Sequence, residues 1–219
     1  MARHADYIFY DAPASLTDLP PETHQKATLV PQGVHEQFLA KPHDVQDVSL
    51  QVQGIARPRI GYVGAQNDAF DAVLVQKLVA SMPHAQIVLI GDFSEPDSRL
   101  DHERIHKLGP IPFKQLPSLM YQLDIGIVPY LVNDFTAGVF PTKVLEYLAV
   151  GLPVVSTRLP ALRFLGSAVT AADNHQDFCT ACKTVLAADV RPVSADFLAK
   201  HTWQSRFEVI NSVLAARSS

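Results

Sequence analysis

The residues most able to do chemistry stand together in Pro141-Thr142-Lys143-Val144-Leu145-Glu146-Tyr147. A proline at a helix start gives up an N–H that would have no partner there. The remaining N–H groups of a first turn can hold an anion, and the helix dipole favours negative charge at that end. Lys143 adds a full positive charge and Thr142 a hydroxyl. Glu146 follows at i+3 from Lys143 and i+4 from Thr142, so the three share one helix face. A carboxylate so placed can accept two hydrogen bonds from vicinal hydroxyls, as on a ribose. Anion cradle and diol acceptor at one helix start suit a nucleotide diphosphate. The plainer alternative is a capped helix with a Lys143–Glu146 surface pair of little energetic worth.

Other reactive residue types make weaker patterns. Cys179 and Cys182 form a CxxC pair. A zinc site would need a second ligand pair, which is lacking, so two partly buried thiols on one helix is the favoured reading. The nine histidines show no metal-ligand spacing. His102 and His106 are i,i+4, but Pro96 and Gly109 argue against a helix joining them, and solvated loop histidines are expected. Asp68 and Asp71 are read as charges and caps at a helix start. Asp92 follows an apolar run and either lines a cleft or makes a turn. Tyr62 and Tyr130 flank strand ends and either stack on a base or belong to the core.

These residues need a frame. Apolar bursts at Tyr7–Tyr10 and Ala27–Val30 read as short strands, followed by a polar linker and irregular arm over 35–58. From Arg59 the chain alternates. Strands are expected at Arg59–Gly64, Gln86–Ile90, Arg104–Leu108, Asp124–Val128 and Pro153–Ser156, with a short one near Ala168-Val169. Helices are expected at Asp68–Met82, Phe113–Gln122, about Thr142–Val150, about His175–Ala188 and Ala195–Ala215. Strands that are apolar nearly throughout and alternate with helices imply βαβ units in a parallel sheet covered on both faces. The expected fold is α/β, a doubly wound Rossmann-like sheet. Ligands of such sheets bind beyond the carboxyl ends of the strands, so the loops after Val63, Ile90, Val128 and Ser156 matter most.

The chain has 219 residues, 47% hydrophobic and 18% charged, with net charge −4. That length and makeup can bury one large core without metal or disulfide staples. The acidic balance argues against a nucleic-acid partner. No apolar run reaches membrane-span length and no signal-peptide h-region precedes the fold, so a cytoplasmic protein is expected, with peripheral contact at the inner membrane face left open.

The pattern PxKxxEYxAxGxPVV over residues 141–155, preceded by Asp124-Ile125-Gly126-Ile127-Val128-Pro129-Tyr130, resembles the donor-binding domain of group 1 glycosyltransferases. Further pieces fall in the family's order. Val30-Pro31-Gln32-Gly33-Val34 resembles the segment leading into its second domain, and Gly61-Tyr62-Val63-Gly64 its first strand and glycine loop. His106-Lys107-Leu108-Gly109-Pro110 and Leu116-Pro117-Ser118-Leu119-Met120 resemble the strand and helix that follow. The resemblance spans about residues 27–215. It implies a retaining GT-B enzyme of two domains that transfers a sugar from a UDP- or GDP-linked donor to a hydroxyl acceptor, in polysaccharide or glycolipid synthesis. No cofactor or metal is implied.

Carried onto this sequence, the resemblance gives Glu146 the donor ribose and places Pro141, Thr142 and Lys143 near the sugar and diphosphate. Lys143 and Glu146 are thereby the residues expected to carry the chemistry. Gly64 and Ala65 approach the diphosphate at the first-strand turn. The departures are specific. The first glutamate of the family's E-x7-E motif is replaced by Gly138, a basic residue after the glycine loop by Ala65, and a second basic residue has no match in Gln66-Asn67-Asp68. Lys143 is expected to cover part of the phosphate charge, and Asp134 or Thr136 to contact the sugar. Residues 1–40 resemble only the tail of an N-terminal acceptor domain plus linker. Residues 41–219 then form the nucleotide-sugar domain, with a C-terminal helix around Trp203 and Phe207 that crosses back. A separate acceptor-domain chain is one implied partner. A truncated, non-catalytic interaction module or split-enzyme subunit is the alternative, and a nucleotide-sugar 2-epimerase a third reading.

Overall fold

The computed structural model describes residues 2–40, 51–188 and 192–216. Two short parallel strands come first, β1 (Ile8–Tyr10) and β2 (Ala27–Leu29), in register Ile8 to Ala27. The main body is a six-stranded parallel sheet of β3 (Arg59–Val63), β4 (Gln86–Ile90), β5 (Ile105–Lys107), β6 (Ile125–Val128), β7 (Val154–Thr157) and β8 (Thr170–Ala172). Its spatial order is β5-β4-β3-β6-β7-β8. The chain winds outward from β3 to β5, then returns to pair β6 on the other side of β3. That reversal between β3 and β6 is the switch point of a doubly wound sheet, where a crevice opens above the strand ends.

Local sequence explains the pieces that frame this point. β3, β6 and β7 are buried along their whole length, because helices cover both faces. Helix α1 (Ala72–Ser81) starts four residues later than its periodicity predicts. Asn67 to Phe70 make a turn instead, and the Asp71 carboxylate accepts from the Leu74 N–H at 2.9 Å as the N-cap. Helix α2 (Leu116–Met120) follows β5. A short helix α3 (Asp134–Ala137), unforeseen from the sequence, is set by an Asn133–Thr136 capping box. Helix α4 (Lys143–Ala149) then leads to Gly151, whose φ of +80° ends it.

Other boundaries move. The strand expected near Ala168-Val169 lies at 170–172, because 160–168 winds into a 3-10 stretch. Helix α5 (His175–Ala187) matches its expectation and buries both cysteines, which are free thiols. The C-terminal helix is two, α6 (Ala195–Ala199) and α7 (Trp203–Ala216). The linker divides them: the Val34 N–H donates to the His201 carbonyl at 2.8 Å, and Thr202 caps α7 through the Ser205 N–H at 3.0 Å. A Cβ on Gly33 would fall 2.6 Å from the Trp203 nitrogen, so a side chain there would separate linker and helix. Of the arm expected at 35–58, the described residues Phe38, Val52 and Ile55 join the core. Residues 41–50, where the expected domain boundary falls, lie outside the described residues.

The histidines are not uniformly solvated. His106 is half-buried on β5 with Gln86 at 2.8 Å, His175 meets Asp71 at 2.8 Å, and His201 stacks on Phe197. The first two contacts come from distant parts of the chain, whereas that of His201 with Phe197 is local.

Candidate functional site

Helix α4 is anchored by the residue next to Glu146. The Tyr147 side chain is fully buried, and its hydroxyl accepts from the Val63 N–H at 2.7 Å. Its ring lies against Gly126 of β6 so closely that a Cβ there would sit 2.6 Å from the ring. One side chain thus locks α4 onto both strands of the switch point. Lys143, one turn before Tyr147, is thereby held at the carboxyl end of β3, and Glu146 lies beside the anchor on the same helix.

Lys143 reaches back from α4 to the carboxyl end of β3. Its Nζ donates to the Tyr130 hydroxyl at 2.9 Å. It lies 4.1 Å from the centre of the Tyr62 ring and 5.0 Å from that of Tyr130, within cation–π range of both. The Gly64 turn touches the same place. With φ at +148°, Gly64 occupies a region that L side chains avoid, and a Cβ on it would fall 2.4 Å from the Lys143 Nζ. The Gly64 N–H donates to the Ile90 carbonyl at 2.8 Å, and the Gln66 N–H to that of Asp92 at 2.8 Å, so the loops after β3 and β4 are tied together. Asp92 itself takes the turn role: its carboxylate accepts from the Ser94 N–H and hydroxyl.

Lys143 and Glu146 are both half-buried. Among the described residues no ion pair joins them, and no donor bonds the Glu146 carboxylate. The surface-pair alternative therefore does not describe this helix. Burial strips water from both groups and drives each toward neutrality. The Lys143 ammonium is pulled down to about 7, an effect the Glu146 charge partly offsets. The Glu146 carboxyl is pushed up to about 7, with Lys143 partly opposing. Burial also raises the Tyr62, Tyr130 and Tyr147 hydroxyls, so all three stay neutral donors and acceptors. A lysine and a glutamate so placed regain their charges when a ligand supplies the missing partners: an anion for one, hydroxyl donors for the other.

The remaining sequence candidates divide. Thr142 is exposed, so the tip of α4 is open, while Pro141 is buried and sets the approach of the chain. At seven residues α4 is short, so its dipole is a modest aid beside the lysine charge. Ala65 is exposed, and its carbonyl accepts from the Tyr62 hydroxyl at 3.2 Å. Thr136 is fully buried, and its hydroxyl donates to the Leu131 carbonyl at 2.6 Å while accepting from the Asn133 N–H. That hydroxyl is committed to shaping the turn. Asp134 stands exposed in the first turn of α3, and Gly138 closes that helix. Sequence reading treated Tyr62 and Tyr130 as base-stacking or core residues and missed that they enclose Lys143. It also missed Tyr147 as the anchor. The available signal was a tyrosine at the end of each of two strands that the topology makes neighbours.

A cleft of about 480 Å³ adjoins the site on the β6–β8 side, lined by Asp71, Tyr130, Thr157 and His175 among others; Lys143 and Glu146 lie outside its lining. A second, of about 450 Å³, lies between Leu148, Pro153, Phe164 and Phe197, where β7 begins. No group of three or more His, Cys, Asp or Glu that could hold a metal occurs among the described residues. Among the same residues no helix is long and apolar enough to cross a membrane.

Comparison with known proteins bears on the fold and the family. A protein from Bacillus subtilis (strain 168) named as a teichuronic acid biosynthesis glycosyltransferase, TuaH, is 27% identical over 195 residues, covering 83% of this chain and 47% of its own. The chain thus spans about half the length of that curated relative. Among solved structures, Anabaena HepE in complex with UDP superposes with a TM-score of 0.80 at 16% identity, over 98% of this chain and 65% of that one. Sucrose-phosphate synthase from Thermosynechococcus elongatus does so with a TM-score of 0.74 at 18% identity, over 97% and 59%. These likenesses show a GT-B fold for the described body. The family model for glycosyl transferases, group 1, matches residues 57–188, which run from β3 through α5 and contain the whole site. The chain belongs to the group 1 glycosyltransferases.

Proposed function

We propose that the chain binds the donor in a retaining transfer of a sugar from a UDP-linked donor to a hydroxyl acceptor, in the synthesis of a polysaccharide or glycolipid. The observation that carries this reading is the pair of half-buried, mutually unpaired side chains, Lys143 and Glu146, at the switch point of the sheet. Glu146 would accept two hydrogen bonds from the donor ribose. Lys143, the Gly64–Ala65 turn and the exposed Thr142, with buried Pro141 behind it, would face the diphosphate. Fixed donors aimed at the departing diphosphate stabilise the charge that develops as the sugar bond breaks. The leaving phosphate can take the acceptor's proton, so these residues need not include a general base. HepE structures with UDP and UDP-glucose support the nucleotide class, and the teichuronic acid relative supports a polymer product.

Residues 1–40 would be the tail of an acceptor-binding half plus linker, and residues 41–219 the donor half. That acceptor half would lie in the same polypeptide or in a separate chain. Trp203 (40% exposed) and Phe207 (55% exposed) on α7 would face it. The same exposed pair favours the second reading, a module that docks without catalysing. Calorimetry with UDP tests the first. Wild type should bind, and Glu146→Ala should weaken binding by about 1–3 kcal/mol, the scale of a diol left without its acceptor. No UDP binding by well-folded protein refutes the donor reading. Where turnover of UDP-glucose is found, the anomeric configuration of the product decides retention.

A further inference from the structure

We propose that Tyr130, backed by the ring of Tyr62, is a positioning residue: it holds Lys143 against the Gly64 turn so that the lysine meets a donor diphosphate already in place. The inference rests on the donor-site reading above and adds what makes the lysine effective.

A lysine on a four-carbon stem is ordinarily mobile, and fixing it when a ligand arrives costs conformational entropy. Lys143 is already fixed. The Tyr130 hydroxyl accepts one of its three N–H bonds at 2.9 Å, and two remain for a ligand. The Tyr62 ring lies under the ammonium at 4.1 Å. Gly64 leaves open the space above it.

Both tyrosines stand on a rigid base. Tyr62 is fully buried, and its ring packs on Phe70 at 4.9 Å and Phe93 at 6.0 Å between ring centres. Tyr130 is clamped to the start of α1. Phe70 bridges to it, the Asp71 N–H donates to the Pro129 carbonyl at 2.8 Å, and the Leu131 N–H donates to that of Ala69 at 2.8 Å. A hydroxyl on such a platform cannot follow the lysine, so the lysine must come to it.

The titratable groups that face Lys143 are few. β3 contributes Tyr62, the segment after β6 contributes Tyr130, and α4 itself contributes Glu146. Among these only Glu146 can bring a charge near neutral pH. No carboxylate is hydrogen-bonded to the Lys143 nitrogen among the described residues, so the donors that Tyr130 does not take stay open to a ligand. Removing the Tyr130 hydroxyl leaves a half-buried ammonium without its acceptor, and the side chain should swing out toward water.

A double-mutant cycle read by calorimetry with UDP tests the proposal. Tyr130→Phe should bind UDP about tenfold more weakly than wild type, with the melting temperature held. In a Lys143→Ala background the same change should cost nothing further, because its effect passes through the lysine. An equal loss in both backgrounds, or no loss in either, overturns the positioning role. The donor-site reading fails by a different result, namely no UDP binding by wild type or full affinity in Lys143→Ala. A ligand-free measurement keeps the slot testable in that event. By NMR, the Lys143 ε-methylene should be ring-current shifted and titrate near 7 in wild type, and Tyr130→Phe should move both signals. Unchanged signals in Tyr130→Phe overturn the proposal.

Discussion

Replacing Glu146 by glutamine should make the protein more stable while it loses its nucleotide. Burial raises the Glu146 carboxyl from 4.5 to about 7. At pH above 7 the folded state therefore carries a desolvated carboxylate that the unfolded chain would solvate freely. Each pK unit corresponds to about 1.4 kcal/mol. Because the side chain is only half-buried, solvent screening reduces the whole effect to about 1–3 kcal/mol. The sign follows from linkage. Below pH 4.5 both states hold the proton and the penalty is absent. It grows as pH rises through the window from 4.5 to about 7, and is complete above it. Glutamine has similar volume and no charge, so Glu146→Gln should raise the melting temperature at pH 8 by about 2–4 °C for each kcal/mol. At pH 4.5 the two proteins should melt together. Scanning calorimetry at both pH values, paired with UDP titration at pH 8, makes the test. Affinity should fall by about tenfold, since an amide meets a diol with one acceptor oxygen rather than two. A melting difference that is the same at pH 4.5 and pH 8, or a variant that melts lower at pH 8, would refute the burial argument. Stability given up at a site in return for function is expected of a binding crevice.

Two further outcomes follow from the packing. Gly126→Ala should destabilise the fold by about 1–3 kcal/mol, since its Cβ would fall 2.6 Å from the Tyr147 ring that anchors α4. Its denaturation midpoint should drop, and UDP affinity should drop with it as Lys143 and Glu146 shift; an unchanged midpoint would show that α4 is not pinned there. Cys179 and Cys182 should resist thiol reagents until the protein unfolds, because both are buried and burial raises the Cys182 thiol. Stoichiometric labelling of native protein at pH 8 would contradict their packing.

Much of the frame was legible because it depends on local signals. Apolar runs ended by Gly64, Gly91 and Gly151 marked strand and helix ends. A parallel α/β order followed from strand–helix alternation. The spacing of Thr142, Lys143 and Glu146 showed that they share a face, since helix geometry alone fixes that. Boundaries failed where a distant partner decided them. Nothing near Lys200 indicates that the linker at Val34 would bond His201 and split the last helix. Thr136, expected near the sugar, instead has its hydroxyl bonded within its own turn, to Leu131 and Asn133, a local capping pattern that the sequence reading passed over.

The sequence by itself determined which residues could bind an anion and a diol, and that one helix would carry them. Whether those charges would be quenched by each other was beyond it, because i+3 spacing permits a pair without requiring one. Only the tertiary structure placed Tyr62 and Tyr130 from two strands around Lys143 and fixed α4 through Tyr147. It thereby left Lys143 and Glu146 half-buried with no ion pair between them. The physical reason is that a side chain's solvation is set by all its neighbours in space. Burial converts an ordinary helical lysine and glutamate into groups whose charged forms are disfavoured.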